Sequence, residues 1–265
     1  MRRRRIVLIG YGAIAAELAE ALLARGHAVD VLLKPGLASR QRVPETLGLV
    51  PDVAALAADG PDLVIEAAGH EAVRQVVPAC LEAGLPVLIS SIGALHDDAL
   101  NERLVGLARE HGGRLLLPSG ALGALDYVRA VRHAGALSLR YQSRKPPAAW
   151  AAELRALGHD PAALAEPVTL FAGTARQAAA LYPQNLNVAA ALALAGPGFE
   201  ATGVEVICDP EAGGNTHVVL ADSELGTMRL SIVNNPSPTN PKTSWIVGRS
   251  LLAAVDQYFS PVMMV

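Results

Sequence analysis

Short apolar runs alternate with amphipathic stretches along the first half of the chain. The run Ile6–Ile9 shows no polar alternation, which predicts a strand buried on both faces. In 15–25 apolar residues recur at helical spacing, and Gly26 ends the predicted helix. The same reasoning predicts strands at 28–33, 63–67, 86–90 and 114–117, helices at 52–58, 71–83 and 97–111, and only a weak pattern over 37–49. Strands that alternate with helices over short connections indicate a doubly wound parallel sheet.

The pattern changes after about Ser119, where the predicted strands lie close together. They cover 137–142, 167–171, 204–208, 216–221 and 227–233, with helices at 126–133, 175–181, 187–194 and 244–258. Clustered strands are typical of an antiparallel sheet. The expected fold class is therefore α/β, a Rossmann-type parallel sheet over 1–119 followed by a second, α+β domain over 120–241 with a mostly antiparallel sheet.

A glycine-rich turn follows the first predicted strand. Gly10-Tyr11-Gly12-Ala13-Ile14-Ala15 has the form G-x-G-x-x-A and lies between a buried strand and an amphipathic helix. The first glycine permits a tight turn, the second lets a pyrophosphate approach the backbone, and the last small residue lets helix and strand pack closely. The N–H groups of the helix start, at Ala13 and Ile14, suit phosphates. A plain glycine turn is the alternative, but this context favours a dinucleotide site.

The residues after the second and third buried strands bear on the choice of dinucleotide. An acid at the end of the second strand would select NAD, but Asp30 falls within that strand and Lys34 stands at its end. A cation there favours the 2′-phosphate of NADP, although a solvated basic loop is the alternative. We expect NADP to be accepted, and the choice between NAD and NADP stays open. At the next strand end, Ala68 and Gly69 are small enough to line a cofactor, and His70 is interpreted as a polar residue at a helix start.

Composition removes several classes of function. The 265 residues carry 22 Lys and Arg against 25 Asp and Glu, a net charge of −3, with 4% aromatic residues, which argues against nucleic-acid binding. Cys80 and Cys208 are predicted to be reduced and buried, with no second ligand at metal spacing. The basic, apolar N-terminus could be a signal peptide, but Gly10 and Gly12 interrupt it. No run reaches the ~18 apolar residues of a membrane span, so a cytoplasmic protein is expected.

Several short segments in both halves share their order and spacing with one known family. They are Gly10–Ala15, Glu66–Ala72, Ser119–Gly123, Gly173–Arg176, Pro183–Ala190, Asp209-Pro210 with Asn215–His217, and Asn235–Pro238 with Asn240–Ser244. Each segment is weak by itself, but together they are specific. On these residues the chain resembles the L-aspartate dehydrogenase family over nearly its whole length.

The resemblance implies an NAD(P)-dependent oxidative deamination. L-aspartate would give iminoaspartate, then oxaloacetate and ammonia, or the imine would feed pyridine nucleotide biosynthesis. It places the catalytic histidine at His217 and further cofactor contacts at Ala121 and Asn187. It also implies a homodimer, and a terminal helix within 242–265 that returns to the cofactor domain. The pair Gly213-Gly214 is a departure that we expect to loosen the approach to His217.

The proton transfers of this reaction also suit a histidine at position 217. Histidine has an ordinary pKa of about 6.5, so it suits a base that takes a proton near neutral pH, although a surface histidine at a strand end is the alternative. A dicarboxylate needs cations or helix N-termini, for which Thr174, Asn215 and Lys242 are candidates beside Arg176. Other readings of the whole chain are a homoserine- or dihydrodipicolinate-type enzyme and a non-catalytic NAD(P)-binding regulator.

Overall fold

The structure is a computed structural model that describes residues 2–33, 43–182, 187–238 and 243–264. It divides into two units. The first unit comprises Met1–Gly120 and Val247–Met264, and the second unit comprises Ala121–Ile246. Each has a sheet of its own, as described below.

The first unit contains a six-stranded, wholly parallel sheet in the order β3-β2-β1-β4-β5-β6. The strands are β1 (Arg5–Ile9), β2 (Ala28–Leu32), β3 (Gly48–Val50), β4 (Leu63–Glu66), β5 (Pro86–Ile89) and β6 (Arg114–Leu116). The central strands are buried on both faces, which is why they read as unbroken apolar runs. The predicted Rossmann-type sheet is thereby confirmed.

Helices pack on this sheet. They are α1 (Ala13–Ala24), α2 (Val53–Asp59), α3 (His70–Gln75), α4 (Val77–Glu82), α5 (Asp98–His111) and, from the C-terminal segment, α10 (Ile246–Phe259). Leu251, Leu252 and Val255 of α10 join the core formed by β1 and α1. The terminal helix thus completes the first unit.

Two predictions for the first unit were wrong in detail. The helix predicted over 71–83 is two helices, because Pro78 has no N–H to continue the hydrogen-bond ladder and the chain turns at Val76. Strand β3 was not predicted within the weak segment. It lies at the sheet edge, where a Cβ on Gly48 would stand 2.2 Å from Asp30 Oδ1, so a larger residue would displace the Asp30 carboxylate.

Two arginines, Arg4 and Arg5 at the start of β1, form ion pairs within the first unit. Arg5 Nε donates to Asp30 Oδ2 at 2.8 Å, and Arg4 Nη1 lies 3.1 Å from Asp62 Oδ1. Asp30 therefore lies within β2, as predicted, with its carboxylate paired to Arg5.

The second unit contains a five-stranded sheet in the order β11-β10-β7-β9-β8. The strands are β7 (Ser138–Lys145), β8 (Val168–Thr174), β9 (Thr202–Cys208), β10 (Asn215–Ser223) and β11 (Gly226–Asn234), and the helices are α6 (Leu125–Val131), α7 (Ala151–Ala156), α8 (Ala175–Leu181) and α9 (Asn187–Ala195). Only β7 and β9 run parallel, and the other neighbours are antiparallel. This confirms the α+β prediction, although α7 was not predicted.

Both cysteines are free and buried, as expected. Burial raises the pKa of the Cys80 thiol to about 12. Among the described residues, no helix is long and apolar enough to cross a membrane, and no group of three or more His, Cys, Asp or Glu could hold a metal ion.

Candidate active site

The glycine turn after β1 has the geometry of a dinucleotide turn. Gly10 has φ +88°, which L side chains rarely adopt, and its N–H donates to the Leu32 carbonyl at 2.9 Å. A Cβ on Gly10 would stand 2.6 Å from Ala68 Cβ, so a larger residue would push the β1 and β4 loops apart. Ala15 is fully buried where the helix meets the sheet. These are the close approaches that the sequence pattern predicts.

Beside that turn, the start of α1 is open. Gly12 is the N-cap of α1 and has no side chain to accept from the first-turn N–H groups, and a Cβ built on it meets nothing within 4 Å. The amides of Ala13 and Ile14 begin a helix of 12 residues, whose N-terminus favours anions. The space beside Gly12 and the helix start therefore fit the pyrophosphate of NAD or NADP.

A buried carboxylate fixes the neighbouring loop. Glu66, the last residue of β4, is fully buried, and its Oε1 accepts from the N–H groups of Ala68 and Gly69, both at 2.7 Å. Ser91 donates from its N–H to Oε2 at 3.0 Å and from its hydroxyl to Oε1 at 3.1 Å. Burial raises the pKa of Glu66 and these hydrogen bonds oppose the rise. Glu66 thus holds the predicted cofactor residues Ala68 and Gly69 in place, a role the sequence analysis missed.

The remaining predicted residues of the first unit divide into two groups. His70 is the first residue of α3, the position that the sequence indicated. Lys34 lies outside the described residues.

His217 lies inside the second unit. It is the third residue of β10 and is 4% exposed, so it is not a surface histidine. Its Nδ1 is 2.7 Å from the hydroxyl oxygen of Tyr141, and the two rings stack with centroids 5.9 Å apart and an interplanar angle of 16°. Within the described parts of the chain, Nε2 has no hydrogen-bond partner. Nε2 is therefore the ring atom available to a ligand.

The protonation of His217 differs from the expectation. Burial, and secondarily the positive charge of Lys145, lower the pKa of His217 to about 4. The sequence argument assumed a pKa near 6.5 because it could not see how deeply β10 is covered. At neutral pH this imidazole is therefore uncharged.

Lys145 is a residue that the sequence analysis missed. It is the last residue of β7 and is 6% exposed, with Nζ 5.5 Å from the centroid of the Trp150 ring. Burial lowers the pKa of Lys145 to about 8. The signal was present in the strand, because Leu139, Tyr141 and Lys145 alternate in phase and all face inward.

Asn215 and Thr174, two predicted substrate residues, lie in different places. Asn215 begins β10 two residues before His217, is buried, and donates from Nδ2 to Ser244 Oγ at 3.0 Å. Thr174 is the N-cap of α8, in a capping box with Gln177. The structure thus brings Asn215 to the face of the sheet that holds His217.

Thr174 is not brought there. The strand register aligns His217 with Ser143, Val206 and Phe171, whereas Thr174 lies three residues beyond Phe171 on the far edge strand. Three strand spacings of ~4.8 Å separate β10 from β8, roughly 14 Å. Arg176, beside Thr174, is paired with Glu200. Lys242, the third substrate candidate, lies outside the described residues.

The predicted cofactor residues of the second unit are Ala121 and Asn187. Ala121 is buried, and its carbonyl accepts from Nδ2 of Asn234 at 2.9 Å. Asn187 is the half-buried first residue of α9. A Cβ on Gly214 would stand 2.6 Å from the Asn234 carbonyl oxygen, whereas a Cβ on Gly213 meets nothing within 4 Å, and the expected loose approach to His217 stays a prediction. Asn234 is a further residue that the sequence did not reveal.

Both units match known families. Residues 10–118 match the family model described as homoserine dehydrogenase, NAD binding domain, and residues 126–258 match aspartate dehydrogenase, C-terminal. With the glycine turn of the first unit and the buried imidazole of the second, these matches define an oxidoreductase that uses NAD or NADP.

Relatives identify the family within that class. The chain is 47% identical to L-aspartate dehydrogenase 2 of Bordetella pertussis, covering 97% of each, and 42% identical to L-aspartate dehydrogenase of Ruegeria pomeroyi, covering 96% of this chain and 92% of the relative. The fold matches a crystal structure of aspartate dehydrogenase from Thermotoga maritima with a TM-score of 0.79 at 24% identity, covering 100% of both chains. The chain belongs to the L-aspartate dehydrogenase family, and the resemblance drawn from its motifs is confirmed.

Proposed function

We propose that this chain oxidises L-aspartate at Cα with NAD or NADP, giving iminoaspartate, which water converts to oxaloacetate and ammonia. The observation that carries the proposal is the buried, neutral imidazole of His217, whose Nδ1 is occupied by Tyr141 and whose Nε2 is available. Its relatives in Bordetella and Ruegeria carry the name of this activity.

The first unit, with the return helix within 242–265, acts as the dinucleotide-binding domain in this proposal, and 120–241 acts as the catalytic and dimerisation domain. Gly10, Gly12, Ala13 and Ile14 hold the pyrophosphate, and Ala68 and Gly69 line the cofactor. Lys34 is the residue that would favour the 2′-phosphate of NADP, and Ala121 and Asn187 are the remaining cofactor residues. When bound, the nicotinamide supplies the acceptor for the hydride that leaves Cα.

His217 moves protons in this scheme. To act as a base, Nε2 must carry the lone pair, so Nδ1 carries the proton and donates to the hydroxyl oxygen of Tyr141. Nε2 then takes a proton from the substrate amine, because only the neutral amine can support loss of hydride from Cα. After that proton has passed to solvent, the same atom takes a proton from the water that attacks the imine carbon and returns it to the carbinolamine nitrogen, which leaves as ammonia. The negative charge of a bound dicarboxylate raises the pKa of His217 from its low resting value and strengthens it as a base.

The substrate carboxylates are assigned to Asn215, Thr174 and Lys242. Asn215 has the best supporting position, because it is buried on the same face of β10 as His217. Thr174 has less support, since its hydroxyl already caps α8.

The test is aspartate-dependent formation of reduced dinucleotide at alkaline pH, followed by its near-ultraviolet absorbance. His217→Ala should lose turnover and keep NAD(P) binding, whereas His111→Ala, at an exposed position, should change neither. A panel with homoserine and dihydrodipicolinate separates the related enzymes. Tight NAD(P) binding without turnover on any substrate would identify a regulator instead.

We also propose a homodimer in a reducing compartment, the cytoplasm, with a role in pyridine nucleotide biosynthesis. The edge strand β11 supports an interface because it carries exposed Val233. The two free, buried cysteines agree with reducing conditions. Light scattering on the purified protein measures the oligomeric state, and a monomer at micromolar concentration would contradict the dimer.

A further inference from the structure

One row of inward-facing side chains places a second functional group beside His217. In the antiparallel pairing of β7 and β10, His217 lies opposite Ser143. Tyr141 and Lys145 stand two residues to either side of Ser143 and point to the same face, so both are diagonal neighbours of His217. The hydroxyl oxygen of Tyr141 lies 2.7 Å from Nδ1 of His217. Lys145 holds the equivalent place on the other side of the imidazole.

Lys145 is an unusual residue for that place. Lysine is almost never fully buried, yet this one is 6% exposed, and its Nζ stands over the ring of the buried Trp150. A cation in such surroundings attracts an anion far more strongly than a surface lysine does, because little water screens it. Thr216 of β10 pairs with Arg144 of β7, and Asn215 is the residue before Thr216. The neighbouring strand therefore carries a buried amide next to this pair.

We propose that Lys145 binds a carboxylate of the amino-acid substrate and, by doing so, switches His217 from a poor base to an effective one. This inference rests on the proposed function and adds the residue that recognises the substrate's charge. Either the α- or the β-carboxylate supplies the required chemistry, and the experiments below distinguish the two.

The electrostatic link follows from the groups that face His217. Among the described residues, Tyr141 and Lys145 face it from β7, apolar Ile232 is its partner on β11, and Asn215 and Val219 are its same-face neighbours on β10. Lys145 is thus the charged group in this set. Burial is the larger cause of the low pKa of His217, and the charge of Lys145 lowers it further. A carboxylate bound to Lys145 cancels that effect, so the imidazole gains proton affinity when the substrate arrives.

Steady-state kinetics test the binding step. Lys145→Met keeps the length of the side chain and removes its charge. We expect the KM for aspartate to rise about 100-fold and kcat to change less. Loss of one partner of a buried charge pair weakens binding by between one and several powers of ten, and about 100-fold lies within that range. Lys145→Arg should recover part of the loss, and Lys145→Gln serves as a second neutral variant. Arg140→Met is the matched control, because Arg140 is an exposed cation on the opposite face of the same strand.

A comparison of aspartate with asparagine assigns the carboxylate. If Lys145 binds the β-carboxylate, the preference of the wild type for aspartate collapses in Lys145→Met. If it binds the α-carboxylate, both substrates weaken by the same factor. An unchanged KM for both, in a folded Lys145→Met or Lys145→Gln protein, would overturn the proposal.

A measurement without turnover keeps this inference separate from the proposed function. NMR titration of the His217 ring follows its pKa with and without succinate, a dicarboxylate that has no amine to oxidise. In the wild type, succinate should raise the pKa of His217. In Lys145→Met the pKa should already be higher and should respond less to succinate.

The outcomes are distinct. A wild type without aspartate turnover, in which succinate still raises the His217 pKa through Lys145, refutes the proposed substrate and supports the carboxylate site. Normal aspartate turnover with a His217 pKa that is identical in wild type and Lys145→Met refutes the link between these residues.

Discussion

Replacement of Glu66 by glutamine should loosen the loop that follows β4. The carboxylate accepts two N–H groups on Oε1, from Ala68 and Gly69, and the Ser91 N–H on Oε2 at 3.0 Å. The glutamine oxygen can still accept from the N–H groups of Ala68 and Gly69. Its NH₂ group then faces the Ser91 N–H, and because both groups are donors, that hydrogen bond is lost. An unpaired buried donor and the loss of charge-assisted bonds cost about 3 kcal/mol. Relief of the buried charge offsets part of this, which leaves about 2 kcal/mol of lost stability.

Urea unfolding measures that loss, and fluorescence titration measures dinucleotide affinity. Because Ala68 packs against the Gly10 turn, we expect NAD(P) to bind about tenfold more weakly, a change of ~1.4 kcal/mol. Glu71→Gln is the control, since Glu71 is an exposed carboxylate on α3, a few residues away, and should change neither quantity by much. If Glu66→Gln unfolds at the same urea concentration as the wild type, the four hydrogen bonds do not hold this loop and our account of it is wrong.

Four further substitutions have defined outcomes. Gly10→Ala should lower the free energy of unfolding by about 2–4 kcal/mol in urea, because of its positive φ and its contact with Ala68, whereas Gly12→Ala should keep stability and weaken NAD(P) binding in a fluorescence titration. Tyr141→Phe removes the partner of His217 Nδ1 and should reduce kcat about tenfold in the steady-state assay, with unchanged NAD(P) affinity. Lys34→Glu should shift the ratio of kcat/KM from NADP toward NAD by about tenfold. For each variant, the absence of the change named for it would contradict the corresponding assignment.

Most of the first unit follows from local sequence signals. Neighbouring residues determine an unbroken apolar strand, a glycine turn and a helix that ends at glycine. The amino-acid pattern alone therefore locates the motif at Gly10. Strand β3 could not be located in this way, because it pairs only along β2 and its short segment has no period of its own. The break at Val76 was readable from Pro78, yet the helical spacing on either side concealed it.

The second unit shows where sequence reasoning stops. The inward face of β7 could be derived from the alternation of Leu139, Tyr141 and Lys145, but the neighbours of that face could not. Strand β7 pairs with β10 on one side and runs parallel to β9 on the other, with long stretches of chain between them. The contact of Tyr141 with His217 and the influence of Lys145 on its protonation exist only through this pairing, so the motif predicted the histidine without its environment.

That environment makes the stability of the protein depend on pH. The pKa of His217 is lowered to about 4 in the folded chain, against about 6.5 when unfolded. Below pH ~6.5 the unfolded state binds a proton that the folded state does not bind. The contribution of His217 to stability is therefore fully present above pH ~6.5 and is lost as the pH falls toward about 4. A difference of about 2.5 pKa units corresponds to about 3 kcal/mol. Lys145, with a pKa lowered to about 8, acts with the same sign at higher pH, where stability rises as the pH increases above 8.

Urea unfolding of the wild type and His217→Asn, at several pH values, isolates the histidine contribution. The difference in the free energy of unfolding between the two proteins should change by about 3 kcal/mol between neutral pH and pH ~4, in the direction that favours the variant in acid. Asparagine retains a buried polar group but cannot take up the proton. His111→Asn removes an exposed histidine and should leave the pH dependence unchanged. A difference that stays constant over this range would mean that His217 titrates normally in the folded protein, and that β10 does not bury it as deeply as the structure shows.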